Sequence, residues 1–497
     1  MTIAEAAVEG FRLSISYPNI IYAVVGTIIG MFFGILPGVG PITAMALLLS
    51  FTFGWKLEPI ILLFAAVQGG SSQGGSITAI LVNIPGTAPN AATILDGYPM
   101  SQNGRAKVAI GASASASALG AIFGIGVLIL LIPIMRAIVL VFGPPEFLML
   151  AVLGLTVIAV VSEGNVIKGI AAAGLGLMFA FFGEDPMTGT ARFSFGLEYL
   201  WDGLKLVPVF LGIFAIGEMI DLAVSGRETI SGKHSLQALT GSVWEGIFSI
   251  FRHFSLFVRS SIIGTVIGII PGIGGTVAGF VAYGQAVQTA KDPEKFGTGD
   301  IRGVIAPQAS NDAKDGGALV PTVTFGIPGS EGMALLLVAM TLHGIVPGKE
   351  LLTNHLVEVF LLIWALVISN VLSSIFAVMI VNVISYVTVL RTHLLVPAIF
   401  ILSLIGAYAY QYEMGDVVVA FVFGFLGYYM KKHTYPRISL VIALVLGGLI
   451  ERSFNQTLQL QRLGQINFFA RPVTLLLIVL TIIAFALPYI RSRKGSS

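Results

Sequence analysis

Apolar blocks long enough to cross a bilayer, interrupted at recurring Pro-Gly sites, leave this chain few folds to choose from. Runs near Phe147 to Val161, Leu204 to Leu222, Val357 to Val381 and Val473 to Leu487 each approach the length of a spanning helix, which takes about 20 mostly apolar residues. The 497 residues are 56% hydrophobic and only 10% charged, whereas roughly 25% charge solvates an ordinary soluble surface. The chain therefore reads as an all-α polytopic membrane protein.

The interruptions occur twice in one order. Gly34-Ile35-Leu36-Pro37-Gly38-Val39-Gly40 is matched by Gly268-Ile269-Ile270-Pro271-Gly272-Ile273-Gly274. Gly74-Gly75 and then Asn83-Ile84-Pro85-Gly86-Thr87 are matched by Gly316-Gly317 and then Gly326-Ile327-Pro328-Gly329-Ser330. Gly97-Tyr98-Pro99 has a loose counterpart at Gly344-Ile345-Val346-Pro347, and Gly164-Asn165-Val166 is matched by Gly415-Asp416-Val417. We expect repeats over about residues 15–235 and 245–465, with an extra helix and tail over 466–497.

Each repeat is expected to hold one element broken at PGxG, a second broken at the Gly-Gly pair and again at IPG, and four regular spans. The regular spans fall near 107–132, 145–161, 165–183 and 203–224, then 356–378, 394–410, 415–430 and 437–451, with a last one near 472–490. This makes about 12 membrane elements.

Lys and Arg in short loops mark the cytoplasmic side. Lys431, Lys432 and Arg437, the tail residues Arg491, Arg493 and Lys494, Arg391, and the linker residues Arg227, Lys233, Arg252 and Arg259 all fall inside on one count of spans, and Lys349 falls outside. Span 107–132 then starts inside near Arg105 while its partner 356–378 starts outside, so the two repeats are expected to have inverted topology. Glu5, Glu9 and a lone Arg12 precede the first apolar stretch. That is no cleavable signal, and the N-terminus is expected to be retained as an interfacial amphipathic turn.

Non-helical backbone at membrane depth leaves polar groups unpaired at several kcal/mol each, so it survives only where protein or a water-filled cavity covers it. Paired discontinuous segments from inverted repeats form the midplane site of secondary transporters. The residues after each break read as helix starts, with Pro41, Thr87, Pro89, Thr276 and Ser330 in first-turn or cap positions. Helix N-termini attract anions. The expected anion contacts are Gly38, Gly40, Asn83, Pro85, Gly86, Thr87, Gly272, Gly274, Thr324, Pro328, Gly329 and Ser330, each of these polar side chains having capping of its own helix as the alternative. Gly86 and Gly329 are expected to need a bare Cα for positive φ or for approach of an anion.

Charge enters only in the second repeat, where Asn311-Asp312-Ala313-Lys314-Asp315 replaces Ser71-Ser72-Gln73. Ionisable groups at membrane depth are functional candidates. Lys314 is a candidate partner for a substrate carboxylate, and Asp312 or Asp315 for a coupling proton or Na⁺. The alternative is a local pairing of Lys314 with a neighbouring Asp in a loop nearer the surface.

Other chemistry finds little support. A net charge of +2 in scattered clusters implies no nucleic acid. The absence of cysteine removes disulfides and thiolate chemistry. The six histidines lack ligand spacing and no Walker A motif is present, so no metal site, other cofactor or catalytic group is expected. Gly111 to Gly120, rich in Ala and Ser, reads as a close-packing surface.

The stretches GILPGVGP, GGSITAILVNIPGTAPNAATILDGYPM, GIIPGIGG and PQASNDAKDGGALVPTVTFGIPGS, together with the overall length, resemble the TctA family, the large membrane subunit of tripartite tricarboxylate transporters, over about residues 18–465. The resemblance implies a bacterial inner membrane permease, driven by an ion gradient, that imports citrate-like tricarboxylates or related organic acids. It also implies two partners, a small membrane subunit and a periplasmic solute-binding protein. The residues themselves leave open a channel, or a carrier for another small anion or an amino acid.

Overall fold

A computed structural model describes residues 2–36, 39–161, 166–185, 187–225, 241–272, 274–345, 347–381 and 392–494. Pro37, Gly38, Gly164, Asn165, Arg227, Lys233, Ile273 and Arg391 lie outside the described residues, as do the side chains of Arg491, Arg493 and Lys494. Among the described residues the regular structure is helical apart from one short antiparallel pair, Gly183–Glu184 with Ala191–Arg192.

The first part runs α1 (Ile3–Ile15), α2 (Asn19–Ile35), α3 (Gly40–Phe51), α4 (Leu57–Val82), a 3-10 turn (Ala88–Thr93), α5 (Ile94–Gln102), α6 (Ala106–Val141), α7 (Pro144–Val161) and α8 (Val166–Ala180). It continues through α9 (Leu206–Phe210), a π-helical turn (Leu211–Ile216) and α10 (Gly217–Ser225). The second part runs α11 (Val243–Arg252), α12 (Phe254–Ile269), α13 (Gly274–Thr289), α14 (Arg302–Phe325), α15 (Glu331–Leu342), α16 (Lys349–Asn354) and α17 (Leu356–Ile380). Then come α18 (Thr392–Gln411), α19 (Met414–Lys432), α20 (Arg437–Arg462) and α21 (Pro472–Lys494).

Among the described residues, six helices are long and apolar enough to span a membrane, or up to eight if the pairs α1–α2 and α11–α12, bent by 72° and 82°, each count as one. α3, α7, α8, α15 and α21 supply shorter apolar helices. The N-terminal segment is a full helix with a Thr2/Glu5 capping box; Ala7 at its middle accepts from Trp364 Nε1 at 3.0 Å.

Lipid tails are as apolar as leucine, so helices in a membrane associate through close packing of small residues. A Cβ added to Gly26, Gly30 or Gly34 of α2 would come within 2.6 Å of the backbone oxygen of Leu63, Val67 or Ser71 on α4. The numbers rise together, so α2 and α4 run parallel. α3 must therefore carry the chain back toward the end where α2 began. α12 and α14 repeat this relation, with Gly264 against Ser310 and Gly268 against Lys314.

The Gly-Gly pairs correct one expectation. α4 and α14 run unbroken through Gly74-Gly75 and Gly316-Gly317. Gly74 lies against Met31, Gly316 against Gly124 and Gly317 against Thr265, each too close for a side chain. They are packing sites. The IPG breaks are real: α4 ends on Asn83 at φ 60° and α14 on Gly326 at φ 69°.

The two parts are interleaved. α6 packs on α14 and α17 packs on α4, while α11 lies on α6 and α1 on α17. Ser374, near the end of α17, donates to the Ala114 carbonyl near the start of α6 at 2.9 Å. α20 packs on α7 and α8, and the π turn and α10 pack on α19. Buried Glu218 on α10 pairs with Lys431 at the end of α19 and with Arg437 at the start of α20. Glu146 on α7 holds Arg471 at 2.5 Å and fixes the start of α21.

Candidate functional site

α4 and α14 cross at mid-length, where Asn311 Nδ2 donates to Ser72 Oγ at 2.9 Å. The start of the 3-10 turn closes one side. Asn90 Nδ2 donates to the Ser72 carbonyl and to Thr87 Oγ1, both at 3.0 Å. Gln308 Nε2 donates to Asn90 Oδ1 at 3.2 Å and to Thr93 Oγ1 at 2.8 Å. Both halves of the chain thus contribute to one buried polar network.

The backbone breaks meet beside this crossing. Gly86 N–H donates to the Gly75 carbonyl, and a Cβ on Gly86 would sit 1.9 Å from the Gly34 carbonyl oxygen. Gly272 N–H donates to the Gly329 carbonyl at 3.4 Å, and a Cβ on Gly329 would lie 2.6 Å from the Ala318 backbone. Neither Gly86 nor Gly329 has a positive φ. Neighbouring backbone approaches both closely, so of the two reasons expected for a bare Cα the positive φ does not apply. Left-handed conformation belongs to Gly40 and Gly274, with φ of 67° and 73°, and a Cβ on either would meet no described atom within 4 Å. These two glycines open α3 and α13. Gly272 is also left-handed, at φ 81°, but Ile158 covers it.

All four expected helix starts are present: α3, the 3-10 turn leading into α5, α13 and α15. Side-chain capping does not explain Thr87 or Ser330. Ser330 and Thr87 make no cap hydrogen bond to their own helices, and the buried Ser330 Oγ has no hydrogen-bond partner among the described residues. Ser330 begins the helix whose Gly332 lies against Gln68 Oε1, while Thr87 lies against Gly75. On α4 these two contacts are about 10 Å apart at 1.5 Å per residue. Gly275 at the start of α13 packs on Asn311 and Pro89.

Thr324 and Asn83 are not part of this cluster. Thr324 is buried about 15 Å further along α14 from Lys314, and Asn83 is exposed at the end of α4. Pro85 and Pro328 lie within the breaks, half-buried and buried respectively. Gly38 is outside the described residues.

The charged cluster sits in the continuous α14, not in a surface loop. Lys314 Nζ is 2.7 Å from Asp315 Oδ1, with both side chains at least nine-tenths buried. The approach is off the line a hydrogen bond needs, so it is a charge pair without directed donation. Asp312 is fully buried, and neither carboxylate oxygen has a hydrogen-bond partner among the described residues. The Ser72 and Ser117 hydroxyls are close by. A desolvated carboxylate costs several kcal/mol unless a cation or proton compensates it.

Ser72, Asn90, Gln308 and Ser117 were not singled out from the sequence. A signal existed for α14: Gln308, Asn311, Asp312 and Asp315 follow the i, i+3, i+4, i+7 spacing of one helical face. Asn90 carried none, because only the fold-back at Gly86 brings it to Ser72.

Spanning helices packed around broken, polar-lined segments define a multi-pass membrane protein. The model of the tripartite tricarboxylate transporter TctA family matches residues 20–442. The chain belongs to that family. It is 31% identical over 502 residues to an uncharacterized 52.8 kDa protein in the TAR-I ttuC' 3' region of Agrobacterium vitis, covering 98% of this chain and 96% of the relative. An uncharacterized protein in the TAR-II ttuC' 3' region of the same organism is 30% identical over 234 residues, covering 46% of this chain and 97% of that relative. No solved structure matches this chain.

Proposed function

We propose that the chain is the translocating subunit of a cation-driven secondary transporter that imports tricarboxylates such as citrate, or related organic acid anions, across a bacterial inner membrane. The observation that carries this reading is the meeting of the broken segments around the α4–α14 crossing, beside Lys314, Asp312 and the open, left-handed Gly40 and Gly274. Helix starts supply N–H donors for carboxylates, and Lys314 adds a cation. A periplasmic solute-binding protein delivers the anion, and a small membrane subunit completes the assembly.

The crossed packing of α6 with α14 and α17 with α4, and the meeting of the end of α17 with the start of α6, support two inverted repeats over 15–235 and 245–465, with 466–497 as an addition. On this reading the C-terminus is cytoplasmic. Of the two acidic candidates, Asp315 is neutralised by Lys314. Asp312 is therefore the residue that takes the coupling Na⁺ or H⁺, with Ser72 and Ser117 beside it.

Uptake of radiolabelled citrate and other carboxylates into vesicles containing all three subunits, with Na⁺ and pH gradients imposed separately, tests the reading. Accumulation should follow one of the gradients, and Asp312→Asn should abolish that dependence. Flux that only equilibrates the anion, indifferent to both gradients, would instead indicate a channel.

A further inference from the structure

α11 meets α12 at His253 with an 82° bend, so it lies across the direction of the spanning helices. One face of α11, Gly246 and Ile250, is buried, with Gly246 against Val108 of α6. The other face exposes Trp244, Phe248 and Phe251, at i, i+4 and i+7, followed by Phe254 at the bend. Exposed aromatic side chains on a helix lying across the spans belong at the headgroup boundary of a bilayer.

Against this elbow is an open cleft of about 470 Å³, lined in part by Arg252, Arg259, Lys291, Asp292 and Arg302. Two of the groups are already compensated. Arg302 is held by Asp300 at 2.6 Å and Asp292 at 2.8 Å, and Asp292 also holds Lys295 at 2.7 Å. Arg252, Arg259 and Lys291 make no ion pair among the described residues. The cleft therefore carries an uncompensated positive charge.

Directly after Arg259, α12 exposes Ile262, Val266 and Ile269, again at i, i+4 and i+7. The cationic cleft thus opens onto an apolar stripe running along a helix. A free inorganic anion would use only the first of these, whereas an amphiphile uses both. We propose that this cleft binds the headgroup of an acidic phospholipid, whose acyl chains lie along the Ile262–Val266–Ile269 stripe.

The test uses the purified full-length chain, with phosphatidylglycerol, phosphatidylethanolamine and inorganic phosphate each titrated in detergent while thermal unfolding is followed. Phosphatidylglycerol should raise the midpoint saturably, and the other two should not. The triple variant Arg252→Gln/Arg259→Gln/Lys291→Gln should lose at least tenfold in apparent affinity. An equal shift from inorganic phosphate would make this a free-anion site, and an undiminished response in the triple variant would remove the cleft from lipid binding. Should the triple variant fail to fold, photo-crosslinking of a phosphatidylglycerol analogue to the unaltered chain decides the matter: labelled peptides must include residues 252–269, and labelling confined elsewhere overturns the proposal.

Discussion

Lys314 and Asp315 are chain neighbours, and neighbours on a helix do not ordinarily face each other, yet their charges lie 2.7 Å apart in a buried setting. Removing one partner of a buried pair costs about 3–5 kcal/mol, because the other is left uncompensated. Lys314→Gln is expected to lower the abundance of the protein in the membrane, and Lys314→Gln/Asp315→Asn to restore it. Quantitative blotting reads abundance, and citrate uptake at matched abundance reads function. If Lys314 contacts the substrate, uptake stays low in the double variant; recovery to the parental level would assign Lys314 to charge balance alone.

Glycine separates two roles at the same scale. Gly40 and Gly274 have room for a methyl group but hold a left-handed φ, which costs an L residue roughly 1–2 kcal/mol. Gly86 and Gly329 have an ordinary φ but no room. Gly40→Ala and Gly274→Ala should leave most of the protein in the membrane while lowering uptake by disturbing the starts of α3 and α13. Gly86→Ala should instead reduce the yield of folded protein, measured by size-exclusion chromatography, and full yield with normal uptake would argue against the tight contact with Gly34.

At the scale of elements, six of the regular spans could be read from apolar run length, whereas those expected near 145–161, 165–183 and 472–490 are shorter apolar helices among the described residues. The run near 107–132 is the core of α6 (Ala106–Val141), and 437–451 is the first part of α20 (Arg437–Arg462). The extension of α20 escaped because Glu451, Arg452 and Arg462 lie beyond the apolar stretch, although a helix needs no lipid once its backbone is paired. The Gly-Gly pairs were misread for a different reason. Glycine is permissive of both a break and a close helix contact, and nothing local distinguishes them. The decision came from α2 and α6, whose backbones lie 2–3 Å from where a Cβ would project at Gly74 and Gly316. Gly316→Val is therefore expected to destabilise the α6–α14 contact by about 1–3 kcal/mol, the usual cost of overpacking, seen as a lower unfolding midpoint. A neutral effect would mean that the two helices can separate without loss.

For the whole molecule, the proposed inversion of the two repeats makes a directional prediction. The chain has no cysteine, so Gln102→Cys, near the start of α6, and Lys349→Cys, ahead of α17, can be made in a clean background. An impermeant thiol reagent, added to cells with a permeabilised outer membrane, should label the cysteine at 349 and spare the one at 102. Labelling of both from the same side would rule the inversion out.

Local chemistry alone was sufficient for the membrane class, for the two sets of PGxG and IPG breaks and for the helix starts that follow them. Each depends on apolar length, fixed φ at proline and cap preferences within a few residues. Tertiary structure alone determined which breaks touch, that Asn90 and Gln308 join Ser72 at the α4–α14 crossing, and that Lys314 takes Asp315 and leaves Asp312 without an ionic partner among the described residues. Those outcomes turn on distances between helices far apart in the chain, and a side chain's partner in a buried site is set by which backbone and polar groups packing brings within about 3 Å.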